Sequence, residues 1–101
     1  MRLSGRVDAT LGAATHNWAP AGLEHADIIF VTCTAPVTLT GIVAQGRERV
    51  LVLCVVSGTL TLAAENGSST DANRFGLAKD LDIETGARLV YDSIARRWRV
   101  T

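Results

Sequence analysis

Val50-Leu51-Val52-Leu53-Cys54-Val55-Val56, followed by Ser57-Gly58 and then by Thr59-Leu60-Thr61-Leu62, is the stretch that decides the fold. The first run is far shorter than the roughly 20 residues of a membrane-spanning helix, and its β-branched content marks an extended strand that is apolar on both faces. The Thr-Leu alternation after it places Leu60 and Leu62 on one face and the threonines on the other, as a half-buried strand requires. Ser57-Gly58 between them is a tight-turn signal, so the two runs are expected to pair as a hairpin. A strand that is greasy on both sides, in a chain of only 101 residues, needs a cover for its second face. The N-terminal segment and a neighbouring subunit are the two candidates.

The same rhythm extends outward in both directions. Short runs rich in Val, Ile, Leu and Thr are punctuated by Gly, Asn, Asp and Pro, and no window repeats apolar residues at helical spacing. Strands are predicted at Arg2 to Val7, Ala26 to Thr34, Val37 to Val43, Arg49 to Val56 and Thr59 to Ala63. Four more are predicted at Arg74 to Ala78, Asp80 to Glu84, Arg88 to Asp92 and Arg97 to Val100. Gln45-Gly46 and Thr85-Gly86 supply further turns, whereas Thr10 to Glu24 and the polar run Glu65 to Asn73 are expected as long loops. The predicted architecture is one all-β domain: an antiparallel β-sandwich or jelly-roll-like body over residues 26–101, preceded by an irregular N-terminal arm over residues 1–25.

Ten basic and ten acidic residues cancel, so no global field favours nucleic acid or an anionic membrane. Arg96, Arg97 and Arg99 around Trp98 are expected to be a solvated strand face, with a small anion patch as the alternative. No secretory leader precedes the first strand and no apolar run is long enough to insert in a membrane, so the chain is expected to stay in the compartment where it is made. An apolar content of 48% is high for a soluble domain and points to an oligomer.

Candidate chemistry is sparse. Cys33 and Cys54 lie in apolar runs and lack the neighbouring ligands of a zinc site; they are expected as buried free thiols, or as a disulfide between facing strands. His16 and His25 are the only histidines, and no nucleophile elbow accompanies them, so no catalytic residues are assigned and the chain is expected not to be an enzyme. Asp80, Asp82 and Glu84 share one face of a strand, where they either hold a cation with the oxygen-rich loop or keep an edge strand from pairing. No cofactor is implied. Asn66-Gly67-Ser68 matches a glycosylation acceptor, which without a secretory signal means only a loop.

The pieces Thr38-Leu39-Thr40-Gly41-Ile42, Val50-Leu51-Val52-Leu53, Leu60-Thr61-Leu62 and Ser68 to Phe75, then Leu81-Asp82-Ile83, Tyr91-Asp92 and Arg97-Trp98-Arg99, follow one another in an order that resembles a β-rich module of bacteriophage virion proteins. Tail fibres, receptor-binding proteins and capsid appendages carry it. Asn17-Trp18-Ala19-Pro20 resembles the segment that leads into the module's first core strand. The resemblance implies a homotrimeric virion structural protein that contacts other capsid or tail proteins, as a capsid decoration or cement subunit or as a fibre or spike appendage. A chain of this length beginning at Met1 is expected to be a whole small protein of that kind. The alternative is a receptor- or carbohydrate-binding module that presents Trp18, Trp98 and the Glu65 to Asn73 loop to a host surface glycan. Asn17, Trp18, Pro20, Asn73, Arg74, Phe75, Asp92 and Trp98 are the candidate structural and interaction residues. Asn73 is expected to take a left-handed backbone, Phe75 to fill the core and Arg74 to pair with Asp92.

Overall fold

A computed structural model describes residues 5–101, so the part of the first predicted strand before Gly5 lies outside the described residues. Among the described residues eight strands run β1 (Arg6–Leu11), β2 (Ile28–Cys33), β3 (Val37–Leu39), β4 (Val50–Ser57), β5 (Leu60–Leu62), β6 (Leu81–Ile83), β7 (Gly86–Asp92) and β8 (Arg97–Val100). They form a five-stranded sheet in the order β1-β2-β4-β7-β8 and a three-stranded sheet in the order β3-β5-β6. Alternation along each strand turns one row of side chains inward: Ile29 and Val31 from β2, Leu51, Leu53 and Val55 from β4, and Leu89 and Tyr91 from β7. Leu39, Leu60, Leu62 and Ile83 meet them from the second sheet in a single core. Each such aliphatic side chain contributes about 1.5–3 kcal/mol by leaving water.

The sheets are mixed, which corrects the antiparallel expectation. The pairs β1–β2, β2–β4 and β3–β5 are parallel, and only β4–β7, β5–β6 and β7–β8 are antiparallel. The cause lies in the connections, since two strands of one sheet run parallel when the chain crosses elsewhere between them. After β1 the chain passes to the second sheet, where Thr15 and Trp18 bridge Leu39 and Ile42, and then returns as β2. After β2 it crosses again to make β3 before returning as β4. The chain thus winds around its own core.

The hairpin expected at Ser57-Gly58 does not form, because β4 and β5 belong to different sheets. Gly58 instead makes the corner between layers, with φ of 81° and so little space that a Cβ would sit 2.4 Å from the Cys33 carbonyl oxygen. Thr85-Gly86 likewise switches sheets, from β6 to β7. Two further expectations change. The arm contributes β1 to the large sheet, and Arg74 to Ala78 is not a strand, although Phe75 makes single bridges to Ala64 and Trp98.

Candidate functional site

The loop Glu65 to Asn73 is fastened to the body at one end of the molecule by most of the residues singled out in the sequence. Asn17 adopts φ of 45°, and its side-chain oxygen accepts hydrogen bonds from the Thr70 N–H at 2.7 Å and the Asn73 side-chain amide at 2.9 Å. The left-handed residue expected at Asn73 is therefore Asn17; Asn73 closes the 3-10 turn Asp71–Asn73, and its own side-chain oxygen accepts from the Ala44 N–H. Beneath the loop, Trp98 donates its indole N–H to the Ile42 carbonyl at 2.9 Å and meets Tyr91 edge-on, with ring centroids 5.0 Å apart. Tyr91 in turn donates to the Ala72 carbonyl at 2.7 Å. Phe75 fills the core as expected, and Leu23 donates its N–H to the Pro20 carbonyl in a turn that leads into β2.

Arg74 and Asp92 do not pair. Arg74 donates to the Ser69 carbonyl and lies 3.6 Å from Asp71, while Asp92 accepts from the N–H groups of Ile94 and Ala95 and faces Arg99 at 3.4 Å. Asp92 thus caps the β7–β8 turn, where the nearest donors are main-chain groups of its own turn. The acidic centre that sequence reading missed is Asp71, which takes Arg97 on one oxygen at 3.0 Å and Arg96 on the other at 2.7 Å. Arg97 also binds Glu65 at 2.7 Å. Glu65 and Arg96 both have left-handed backbones, with φ of 46° and 57°, and each is held by an ion pair, whereas the left-handed Asn17 is held by hydrogen bonds.

The Arg97 hydrogen bond, with the charges of Arg96 and Arg74, holds the Asp71 carboxyl below the usual carboxylate range. A carboxyl with a lowered folded value stabilises the fold above its unfolded value, near 4, and that contribution disappears as the pH falls through the folded value. Thermal melts should therefore show wild type losing stability below about pH 4 more steeply than Asp71→Asn. Parallel curves for the two proteins would contradict the assignment.

Trp98 is fully buried and Trp18 is 7% exposed, so neither ring is available as a stacking platform for a sugar. A polar triplet lies beside them and runs inward from the exposed His16: its Nδ1 lies 2.7 Å from the Thr40 hydroxyl, which lies 2.7 Å from the Ser69 hydroxyl. Thr40 and Ser69 are buried, and the Ser69 oxygen also accepts the Asn17 N–H, so this chain of hydroxyls ties the loop down.

The surface that is exposed and apolar is the outer face of the five-stranded sheet. Ile28 and Phe30 of β2, Val50, Val52 and Cys54 of β4, and Val90 of β7 are all half-buried on that face. The register places Ile28 beside Val52, Phe30 beside Cys54, and Val50 beside Val90, giving one continuous patch three strands wide. Val56 extends it, with 61% of its surface exposed. Charge lies at its borders: Arg6 covers Phe30 with its guanidinium 3.9 Å from the ring centre, and Arg88 and Arg99 stand on the far side.

Cys54 belongs to this outer face and Cys33 to the core, so the two thiols point to opposite sides of the sheet and both are free. Burial pushes the Cys33 thiol up. Asp80 caps the Ala64 N–H and Asp82 accepts from the Thr61 hydroxyl, and among the described residues no cluster of three or more His, Cys, Asp or Glu is arranged to hold a metal ion. The chain matches no described protein family, no curated protein and no solved structure.

Proposed function

We propose that this chain is a β-sandwich structural subunit of a larger assembly, of the kind a bacteriophage virion uses as a capsid decoration or as a head or tail appendage. The apolar outer face of the five-stranded sheet carries the assembly part of this reading; the virion part rests on the sequence resemblance. A lone domain rarely leaves so broad a contiguous patch open to water, and burying it against a neighbour stabilises the complex by the same hydrophobic effect that forms the core. Three copies around one axis, as the resemblance implies, would turn these faces toward each other.

Val52 stands at the centre of the patch. Val52→Asp should leave the fold intact, because its side chain points away from the core, but break the contact across this face, so that light scattering gives a species of lower mass or aggregates. An oligomer of unchanged mass would overturn this placement of the contact.

A further inference from the structure

The rim of the large sheet supplies a second contact surface, distinct from its face. β1 is an outermost strand, and among the described residues no strand pairs with its far side. The carbonyls of Gly5 and Leu11 accept hydrogen bonds from the N–H groups of Ile28 and Thr34. Alternate residues of a parallel strand turn both main-chain groups to the same neighbour, so Val7 and Ala9 also face β2, and the N–H and C=O groups of Arg6, Asp8 and Thr10 face outward. On the inner side, Val7, Ala9 and Leu11 are only half-buried, whereas Ile29, Val31 and Cys33 beside them on β2 are buried. An open groove of about 460 Å³ runs next to the strand, between Gly5 to Asp8 on one side and Ala21, Gly22 and His25 on the other.

Edge strands are usually guarded by proline, by bulges, by brevity or by charges that repel a second copy. β1 has six residues, no proline and no break in its register with β2. Its two charged residues have opposite signs and stand two positions apart on one face, now 2.9 Å from each other. In an antiparallel pair of two β1 strands centred on Val7, Arg6 of each copy lies opposite Asp8 of the other. Those are also residues whose main-chain groups face outward, so one register satisfies both the hydrogen bonds and the charges. A slip of two residues in either direction sets Asp8 against Asp8 or Arg6 against Arg6, and a slip of one turns each strand's side chains to the wrong face.

We propose that β1 is a self-association edge: two copies of this chain pair their β1 strands antiparallel about a two-fold axis at Val7, joining two five-stranded sheets into one. The proposal shares with the preceding section the premise that the chain assembles with its own copies, but it uses different residues. It would also place two apolar outer faces side by side on one continuous sheet.

The test is sedimentation equilibrium over a concentration series for wild type, Arg6→Asp, Asp8→Arg and the double exchange of both. Both side chains are mostly exposed, so all four proteins should give the same circular dichroism spectrum. Each single change sets like charges opposite each other and should weaken the pair by roughly tenfold or more, while the double exchange restores it. The double exchange also restores the pair between positions 6 and 8 within each copy, but that pair is present in the monomer, so recovered association at an unchanged spectrum would report charge pairing between copies. A monomeric wild type, single variants that associate like wild type, or a double exchange that fails to recover would each overturn the proposal. Val52→Asp separates the two surfaces: it should keep the β1 pair, and loss of all association in that variant would assign the contact to the face and reject the rim.

Discussion

Trp98→Ala is expected to remove about 3 to 5 kcal/mol of stability, the range for truncating a large buried aromatic. The ring is fully buried at the junction of β8 with the fastened loop, and its loss opens a cavity against Tyr91. The change also strips the Ile42 carbonyl of its indole donor, leaving an acceptor buried without that partner. A domain of this kind has about 5–15 kcal/mol in total, so the variant should retain at best a marginal fold. Urea unfolding followed by circular dichroism measures the effect directly. A loss of less than about 1 kcal/mol would mean that the indole is not what joins loop to body.

Gly58→Ala is expected to cost about 2 to 4 kcal/mol, a large effect for one methyl group. Two causes combine there: a left-handed backbone that disfavours any Cβ by about 1 to 2 kcal/mol, and overpacking of similar or larger size. The added carbon would lie 2.4 Å from the Cys33 carbonyl oxygen and 2.8 Å from the Cys33 Cβ, so β2 or the corner itself must shift. Gly46 is the control, because its φ of 73° is similar but nothing lies within 4 Å of the position a Cβ would take. Gly46→Ala should therefore lose only the backbone part, about 1 to 2 kcal/mol. Equal losses in the two variants would show that crowding at the corner contributes nothing.

Much of the fold was legible because hydrophobic alternation is a local property. The strands at Arg97–Val100, Val50–Ser57 and Leu60–Leu62 fall where the pattern puts them, within a residue or two. Sheet membership is not local. Ser57-Gly58 announces a change of direction, but a tight reversal within one sheet and a corner between two sheets use the same residues, and only the approach of Cys33 decides which is made. Strand direction was hidden for the same reason, since parallel pairing follows from where the chain travels between strands. β1 was partly legible: Arg6-Val7-Asp8-Ala9-Thr10-Leu11 alternates cleanly up to Gly12, a signal that extends past the predicted end at Val7.

The candidate surfaces divide in the same way. The two-faced character of Val50 to Val56 pointed to the outer patch, because no polar residue interrupts it. The patch itself needs Ile28, Phe30 and Val90, which only the register brings alongside. In the fastened loop the participants Asn17, Asn73, Arg74 and Trp98 could be named from sequence. Their partners could not, because Asp71 and Asp92 are chemically equivalent acceptors, distinguished only by which guanidinium groups the strand ends deliver.

The winding of the chain between its two layers has a consequence for how it must fold. Up to β5 the one pair of consecutive strands bonded to each other is β1 and β2, and the chain crosses to the second sheet between them; β2 then waits for β4, β3 for β5, and β4 for β7 from the far part of the chain. Apart from the β7–β8 hairpin, loop closure therefore precedes the ladder energy of the large sheet, and its nucleus must gather distant segments. Such a topology folds in milliseconds to seconds rather than microseconds, and during that interval the Val50 to Val56 run is exposed on both sides. On a ribosome, the large sheet cannot be completed until the C-terminal strands emerge.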